Sequence, residues 1–314
     1  MIAIIGSGFG LYGYLPAFVD GCTQRIVLQE SYRGRFERRT ELASYTDMIQ
    51  WEADESSVLR VAKGAAIALR PADQVAFVPL CLEQTNIECL LLEKPLAPNP
   101  VLAANLFDKL ISSRKKFRIG YSFRFTNWGQ NLINQIVSCN EDGVLFFEWS
   151  FLAHHFANDL QNWKRFSLEG GGVVRFFGIH VIALLAEIGY RNVVVSRAFG
   201  KSSNELEKWI AIFTGNKLPR CEIVIDSNAE LTKFHVEYHS NINDEGHILF
   251  ANQCDPFEIE NADKLQQQLD SRITVLKRLC RSLWENESTE YTWYKDTINL
   301  WHDVESHMQF EVTI

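Results

Sequence analysis

The stretch IAIIGSGFGLYG, residues 2–13, decides the fold that we expect for the chain. A short apolar run that ends in glycine is typical of a buried parallel strand, and the residues that follow it can begin a helix. Gly6 lets the chain turn sharply, and Gly8 has no side chain where a pyrophosphate would approach the backbone. The stretch therefore predicts a dinucleotide-binding turn between a strand and a helix, with a plain tight turn as the alternative.

The spacing of these glycines departs from the strict G-x-G-x-x-G pattern. The third glycine of that pattern would stand at position 11, which is Leu11, and Gly10 lies one residue early. A glycine motif alone is a weak signal, but its place directly after an apolar strand and before a helix strengthens it.

Glu30 ends the second apolar run, about twenty residues after the glycines, as expected of the acidic residue in a dinucleotide fold. A carboxylate at this place accepts hydrogen bonds from the adenosine ribose diol and repels a 2′-phosphate. Arg33 and Arg35 follow closely, and they either bind such a phosphate or lie solvated on the surface. The pattern favours NAD over NADP, and the two arginines leave NADP open.

Further apolar runs alternate with helical periodicity up to about residue 120. The predicted strands are residues 2–6, 25–30, 65–71, 88–95 and 117–125, and the clearest predicted helix is 99–116, with Asn99 as its cap. Strands that alternate with helices predict a parallel sheet covered on both faces, as in an α/β Rossmann domain.

The pattern changes after residue 120 to long strands of alternating polarity, typical of an antiparallel sheet with one covered face. These predicted strands are residues 143–155, 191–200, 208–216, 220–228, 231–241 and 247–253, and helical spacing returns in the last fifty residues. We therefore predict a Rossmann domain over 1–120 and an α+β domain over 121–314, whose C-terminal helices can pack back on the first domain.

Composition limits the classes of protein that the chain can represent. Its 314 residues suggest two domains, and its net charge of −8 argues against a nucleic-acid surface. Seven cysteines are scattered without a CxxC pair, which indicates reduced thiols in the cytoplasm. No apolar run is long enough for a membrane span. We expect neither nucleic acid nor membrane as a partner.

Several motifs taken together resemble the glucose–fructose oxidoreductase / inositol dehydrogenase (Gfo/Idh/MocA) family. They are GSGFGLYGYLPAF (6–18), ALRPADQ (68–74), LLLEKPLA (90–97), GYSFRF (120–125), the Trp163–Lys164 pair, and GGGVVRFFGIH (170–180). The resemblance implies an N-terminal Rossmann domain and a C-terminal α+β domain with an open, mostly antiparallel sheet. It also implies NAD or NADP as cofactor, a carbohydrate-like substrate, and homo-oligomers formed through that sheet.

The resemblance assigns catalytic roles to two residues. Lys94 matches the lysine of the family's Glu-Lys-Pro element, where an ammonium polarises and orients the reacting oxygen. His180 matches the catalytic histidine that moves the hydroxyl proton. The resemblance also suggests a cis bond before Pro95.

The resemblance also assigns binding residues. The expected cofactor contacts are Gly6, Gly8, Phe9, Gly10, Glu30, Leu69, Arg70, Pro71 and Glu93. The expected substrate contacts are Tyr121, Arg124, Trp163 and Phe176, with His154, His155 and Asp159 as weaker candidates. The implied reaction is hydride transfer between a nicotinamide and a sugar, polyol or sugar-nucleotide alcohol or ketone.

The sequence departs from the family pattern around the expected site. Phe176 stands where most active members carry aspartate, and Ala183 where an acidic residue is frequent. Gln74 replaces a common histidine, and Arg70 replaces a small residue. An active oxidoreductase with a rebuilt site, a catalytically impaired binding protein on the same fold, and a reductase of non-sugar substrates all remain open.

One further group of residues has the character of metal ligands. His235, Glu237 and His239 alternate along a predicted strand, so their side chains share one face. On such a strand a solvent-facing or subunit-facing surface is the expected role, and we predict no metal there.

Overall fold

The computed structural model describes residues 1–240, 246–257, 269–285 and 291–313. These residues form two compact units. The first consists of Met1–Ala97, Asn105–Phe125 and the described part of Ile259–Thr289. The second consists of Pro98–Ala104 and the described parts of Thr126–Glu258 and Glu290–Ile314.

The first unit is built on six short strands and the helices between them. The strands are β1 (Ile2–Ile5), β2 (Ile26–Gln29), β3 (Ile49–Glu52), β4 (Gly64–Ile67), β5 (Cys89–Leu92) and β6 (Lys116–Ile119). The helices are α1 (Leu15–Cys22), α2 (Arg33–Glu37), α3 (Glu55–Val61), α4 (Pro71–Glu83) and α9 (Ile273–Ser282), together with the greater part of α5 (Pro100–Ser113).

All six strands of this unit are parallel, and their order is β3-β2-β1-β4-β5-β6. This is the order of a Rossmann sheet, so the predicted fold class is confirmed. Strand β1 lies between β2 and β4, where the strand order reverses and where ligands bind in such sheets. The carboxyl ends of the parallel strands share one edge.

Two details of this unit differ from the sequence prediction. Strand β3 was not predicted, because its sequence IQWE carries two polar residues in four and lacks an apolar run. The strand predicted over 117–125 ends at Ile119, and a 3₁₀ turn, Ser122–Phe125, follows it. The expected helix cap is confirmed, since the Leu102 amide donates to Asn99 Oδ1 at 2.9 Å.

The second unit is built on a larger sheet with helices. Its strands are β7 (Val144–Leu152), β8 (Tyr190–Ser202), β9 (Glu205–Gly215), β10 (Arg220–Asp226), β11 (Asn228–His239), β12 (His247–Gln253) and β13 (Met308–Val312). Its helices are α6 (Asn127–Gln135), α7 (His154–Ala157), α8 (Ile179–Ile188) and α10 (Thr292–Ser306).

The strand order of the second sheet is β12-β11-β7-β10-β9-β8-β13. Four neighbouring pairs are antiparallel, and β7·β10 and β8·β13 are parallel, so the predicted mostly antiparallel sheet is confirmed. Strand β13 is a correction to the expected helical ending, because it adds to the edge strand β8 through the parallel register of Met308 opposite Ser196.

Burial alternates along these strands, as the sequence pattern predicted. Leu145, Phe147 and Trp149 of β7 are buried, whereas Phe146 and Glu148 between them are half-buried. Helices α6, α8 and α10 pack on the buried face of the second unit. None of the helices in the described ranges combines the length and apolarity needed to cross a membrane.

Arg175 joins three segments of the second unit through hydrogen bonds. Its guanidinium donates to both carboxylate oxygens of Glu305 on α10, at 2.6 and 2.8 Å. It also donates to the carbonyls of Pro98 and Ser167, at 2.7 and 2.6 Å. Trp301 donates its indole N–H to the same Glu305, at 2.7 Å. The network is largely shielded from water, and Arg175 is the donor that its acceptors share, beside Trp301 at Glu305 and the Gly170 amide at Ser167.

Replacing Arg175 with alanine is expected to lower the free energy of unfolding by about 3 kcal/mol, because it removes the cation that pairs with the shielded Glu305 carboxylate and one donor from each of two carbonyls. Denaturant unfolding measures the change. The matched control is Arg197→Ala, which removes a solvent-exposed pair with Glu311 and should cost about 0–1 kcal/mol. Equal losses for both variants would show that the Arg175 network contributes no more than a surface pair.

Candidate functional site

The glycine turn lies at the end of β1, where the strand order of the first sheet reverses. Gly6 has φ = +115°, and a Cβ at this residue would lie 2.2 Å from the carbonyl oxygen of Ala68. No L-amino acid fits this position, because both the backbone conformation and the space exclude a side chain. The Gly6 amide donates to the hydroxyl of Tyr32 at 3.0 Å.

Gly8 and Gly10 serve different purposes in the same turn. No atom of the described chain lies within 4 Å of the Cβ that another residue would add at Gly8, so this backbone is open to a ligand. A Cβ at Gly10 would lie 2.6 Å from Ile4 Cγ2, so Gly10 permits close packing of the helix on β1. Gly10 thus performs the packing role of the third motif glycine, one residue earlier than the strict pattern.

Glu30 follows β2 directly and is bound by a cation. Arg33 donates to both of its carboxylate oxygens and lies with its guanidinium 4.4 Å from the centre of the Trp51 ring. The hydrogen bond from Arg33 lowers the pKa of Glu30, so the carboxylate is ionised at neutral pH. Arg35 reaches the glycine turn and donates to Ser7 Oγ at 2.6 Å.

The segment after β4 also lies at the carboxyl edge of the first sheet. Leu69 is half-buried, Arg70 is exposed and precedes α4, and Pro71 is the first residue of that helix. Pro71 suits the first helical position because its fixed φ is already helical. These residues therefore line the edge that the glycine turn begins.

Gln74 on α4 holds the backbone on both sides of Lys94. Its amide donates to the carbonyls of Glu93 and Leu96, at 2.9 and 3.0 Å, and its oxygen accepts from the Glu93 amide at 2.8 Å. The side chain is fully buried, and the Lys94–Pro95 bond is cis, as expected. Gln74 was noticed in the sequence only as a departure from a common histidine, because its partners are backbone groups some twenty residues away.

Glu93 lies in a cluster of aromatic and charged side chains in the first unit. Its carboxylate accepts a hydrogen bond from the hydroxyl of Tyr14. Burial raises the pKa of Glu93, and the Tyr14 hydrogen bond and the charges of Lys94 and Arg272 act in the opposite direction. Burial, reinforced by the Glu93 charge, raises the pKa of Tyr14 well above its ordinary value, so this hydroxyl keeps its proton.

Arg272 is a residue of this cluster that the sequence analysis missed. Its guanidinium lies 4.4 Å from the centre of the Phe9 ring and is held by two hydrogen bonds to Asp270, each 2.7 Å. It lies more than 260 positions beyond Phe9 in the chain, and no motif marks it. Asp270 offsets the charge of Arg272, so the pair adds no net positive charge beside the glycine turn.

The structure places Tyr121 and Arg124 after β6, at the same edge of the first sheet. Tyr121 is buried, and its amide donates to the Ile119 carbonyl at 2.7 Å. Arg124 is half-buried in the 3₁₀ turn, with its guanidinium 5.2 Å from the centre of the Phe125 ring.

The second unit brings the Trp163–Lys164 pair and the triple glycine together. The Gly172 amide donates to the Lys164 carbonyl at 2.8 Å. A Cβ at Gly171 would lie 2.1 Å from the Trp163 carbonyl oxygen, so only glycine allows this approach. The contact explains why three glycines precede the apolar helix.

Phe176 lies beside this contact in a π-helical turn, Val173–Gly178, that leads into α8. Its ring meets Trp163 edge to face at a centroid distance of 5.3 Å, and the Lys164 ammonium lies 5.4 Å from its centre. All three side chains are partly exposed. Because π-helical turns are frequent at functional sites, their partly exposed aromatic surface marks this turn as a candidate substrate contact.

Two histidines of the second unit are buried near these aromatic residues. His180 lies in the first turn of α8, with its ring centre 6.2 Å from that of Phe257. His155 stacks on Phe177 at 6.2 Å, and burial, aided by the charge of Arg165, lowers its pKa to about 4. His155 is therefore neutral at physiological pH. His154 instead bonds to Asn158, and Asp159 pairs with Arg165 at 2.7 Å.

The residues expected to bind the cofactor thus gather at one edge of the first sheet. Gly6, Gly8, Phe9 and Gly10 follow β1, Glu30 follows β2, Leu69 to Pro71 follow β4, and Glu93 with Lys94 follows β5. In the second unit, Trp163 and Phe176 touch, and His180 begins the helix that follows them.

Comparison with known proteins identifies solved structures of the same fold. No family model matches the sequence, and no curated protein matches it. The chain superimposes on KijD10, a 3-ketoreductase from Actinomadura kijaniata in complex with NADP and TDP-benzene, with a TM-score of 0.70 and 11% identity, covering 100% of this chain and 99% of that one.

Two other matches lie in the same range. An oxidoreductase from Agrobacterium radiobacter in complex with NAD⁺, L-tartaric acid and magnesium has a TM-score of 0.69 and 13% identity, covering 97% of this chain and 94% of that one. The WlbA (WbpB) dehydrogenase from Thermus thermophilus with NAD and UDP-GlcNAcA has a TM-score of 0.68 and 10% identity, covering 100% and 96%. At these identities the likeness shows a shared fold.

Replacing Gln74 with leucine is expected to lower the free energy of unfolding by about 2–3 kcal/mol, since buried backbone groups lose their partner. Denaturant unfolding tests this. The control is Gln84→Leu at the other end of the same helix, where the amide makes one exposed 3.3 Å bond to Leu80 and the change should stay within about 0.5 kcal/mol. A Gln74 variant as stable as its control would refute the role given to this side chain.

Proposed function

We propose that the chain is an NAD(P)-dependent oxidoreductase of the Gfo/Idh/MocA family that acts on an alcohol or ketone of a sugar, polyol or sugar nucleotide. The observation that carries the proposal is the gathering of the glycine turn, Glu30 and the Glu93–Lys94 segment at one carboxyl edge of a Rossmann sheet. Sheets of this order bind dinucleotides at that edge. The structural neighbours in complex with NADP or NAD support the same cofactor class.

The residues present fit a dinucleotide. The open backbone at Gly8 and the amides at the start of the following helix suit a pyrophosphate. Glu30 is placed to accept hydrogen bonds from the adenosine ribose, with Phe9, Leu69, Arg70 and Pro71 lining the same edge. When bound, the nicotinamide supplies or accepts the hydride.

Lys94 and His180 are proposed to act on the substrate itself. The Lys94 ammonium donates a hydrogen bond to the reacting oxygen and stabilises negative charge on it. The His180 imidazole takes the hydroxyl proton when the alcohol is oxidised and returns it when the ketone is reduced. Gln74 fixes the backbone that carries Lys94, which limits how far the ammonium can move.

The aromatic surface of the second unit supports a carbohydrate-like substrate. Trp163 and Phe176 present partly exposed ring faces, on which the C–H face of a sugar ring can pack. Tyr121 and Arg124 are proposed as further substrate contacts, with Arg124 suited to a carboxylate or phosphate. The neighbours crystallised with TDP-benzene and UDP-GlcNAcA make sugar nucleotides the first class to test.

Phe176 favours one alternative, a catalytically impaired protein that binds NAD(P) or a sugar. Its ring neither accepts nor donates a proton, and its contacts are Trp163, Phe177 and the Lys164 ammonium. The aspartate expected at this place would orient the substrate and raise the basicity of the histidine. This loss weakens acid–base catalysis, but it leaves Lys94 and His180 in the chain.

We further propose that the chain forms homo-oligomers in the cytoplasm through the half-buried face of the second sheet. Ile210, Ile212 and Val224 lie on that face and are partly exposed in the single chain. Partly exposed apolar side chains on a sheet face are typical of subunit contacts.

Alanine at Lys94 or at His180 is expected to reduce turnover by roughly 100- to 10,000-fold, because charge stabilisation or proton transfer is lost. Nicotinamide absorbance reports turnover across a panel of sugars, polyols and sugar nucleotides. Dinucleotide binding, measured by calorimetry, should survive in both variants.

Controls for this prediction are Lys63→Ala and His302→Ala, which change exposed side chains and should leave turnover unchanged. Wild-type activity that persists in both site variants would reject the proposed roles. A wild-type protein that binds a dinucleotide and a sugar nucleotide without turning them over would support the alternative.

The coenzyme preference is expected to be NAD over NADP, because the ionised carboxylate of Glu30 repels a 2′-phosphate. Replacing Glu30 with glutamine should reduce the ratio of NAD affinity to NADP affinity by about tenfold, which corresponds to about 1.4 kcal/mol. Affinities for both dinucleotides, measured by calorimetry, test this.

Glu37→Gln on α2 is the control, since Glu37 is an exposed carboxylate two helical turns away. A wild-type preference for NADP that disappears in Arg35→Ala would contradict the prediction and assign the 2′-phosphate to Arg35.

A further inference from the structure

Four side chains with metal-ligand chemistry meet at the β11–β12 end of the second sheet, on the same face as Val224 and apart from the residues proposed to bind cofactor and substrate. His235, Glu237 and His239 alternate along β11 and share one face, as the sequence indicated. The structure adds His247, because β12 runs antiparallel to β11 and places His247 directly opposite His239. The fourth member comes from another strand, so no spacing rule within one strand reveals it.

The three imidazoles converge on one carboxylate. His235 Nε2 and His247 Nε2 lie 2.9 and 3.0 Å from Glu237 Oε2, and His239 Nε2 lies 2.9 Å from Glu237 Oε1. The rings of His239 and His247 are 4.8 Å apart. Such convergence of nitrogen ligands on one point is unusual for a solvated strand face.

Exposure differs within the cluster in a way that suits ion binding. His235 and Glu237 have side chains only 15% and 20% exposed, whereas His239 and His247 are about half exposed, at 51% and 48%. The first two form a shielded base, and the other two open to water, so an ion can reach the carboxylate.

The ligand atoms lie near one another but farther apart than in a formed tetrahedral site. Zinc binds imidazole and carboxylate at about 2.0–2.2 Å, so neighbouring ligand atoms lie roughly 3.3 Å apart. The ligand atoms of Glu237, His239 and His247 lie within 4.8 Å of one another. Ion binding therefore requires side-chain rotations that bring these atoms closer together, with the ion taking the place of the hydrogen bonds to Glu237.

The carboxylate opposite His235 on the neighbouring strand is already paired with a lysine. Glu148 on β7 lies opposite His235 in the strand register, but Lys233 binds its carboxylate at 2.6 Å. His235 Nδ1 is buried without a hydrogen-bond partner among the residues that the structure describes. The position therefore offers three imidazoles and one carboxylate.

We propose that Glu237, His239 and His247, with His235 as the fourth ligand, bind one zinc-like divalent transition-metal ion and thereby tie the edge strand β12 to β11. Imidazole ligands favour zinc, copper and nickel, whereas magnesium and calcium prefer oxygen ligands alone. Each histidine binds the ion as a neutral imidazole through Nε2 and carries its remaining proton on Nδ1, and a histidine protonated on both nitrogens releases one proton to solvent. The site is structural and is independent of the proposed oxidoreductase reaction.

The test uses the full chain, without an affinity tag and washed with a chelator. Calorimetric titration with Zn²⁺ should show one ion per chain, and Co²⁺ should give the visible absorption of a tetrahedral site. His239→Ala and His247→Ala should each weaken Zn²⁺ binding by at least about 100-fold. Zn²⁺ should also raise the unfolding temperature of the wild-type protein more than that of these variants.

The matched control is His302→Ala, because His302 is a similarly exposed histidine beside a carboxylate, Asp303, on α10. It should leave Zn²⁺ binding unchanged. Glu237→Gln keeps the shape of the side chain and one accepting oxygen but loses the charge and the second accepting oxygen, so it should fold and bind Zn²⁺ more weakly. Zn²⁺ binding that is substoichiometric, or that is equal in wild type, His239→Ala and His247→Ala, would overturn the proposal and leave a hydrogen-bonded surface cluster.

Discussion

The close approach of Gly6 to Ala68 is the constraint on which the first unit depends. Parallel pairing of β1 and β4 runs to Ile5 opposite Ile67, and the chain then turns away over β4, where a side chain at residue 6 would meet the Ala68 carbonyl oxygen at 2.2 Å. A glycine at this single position lets the helix start above the sheet edge. Every other group proposed to hold the dinucleotide lies along the same edge of the sheet. These groups can contact one ligand together because the glycine turn leaves that edge open.

Hydrogen bonds from Gln74 fix the backbone on both sides of Lys94, the residue proposed to act on the substrate. Lys94 follows β5 in an irregular segment, and irregular backbone is positioned only by what it is bonded to. Gln74 supplies those bonds from the neighbouring helix, with both its donor and its acceptor used. The histidine that is common at this position in the resembling family has different hydrogen-bonding groups. The departure at Gln74 is therefore accommodated within the fold, and by itself it does not argue against activity.

The sequence predicted those elements whose pattern of apolar and polar residues is complete within one short stretch of the chain. The apolar runs of β1 and β5, the alternation along β7 and β11, and the Asn99 cap are of this kind. Strand β3 escaped because IQWE has no periodic signal, and β13 because its five residues follow a helix and pair only with the distant β8. Arg272 and His247 could not be predicted, since their partners are brought to them by folding.

Phe176 connects the fold to the question of activity. The triple glycine must pack on the Trp163 and Lys164 backbone, and the π-helical turn that follows carries Phe176 against the Trp163 ring. An aspartate there would place a charge among aromatic rings, paired with the Lys164 ammonium that now lies over Phe176. Phenylalanine exchanges that ion pair for apolar contact. Under the proposed function, phenylalanine at this position replaces hydrogen bonding to the substrate with ring packing and leaves His180 as the proposed proton carrier.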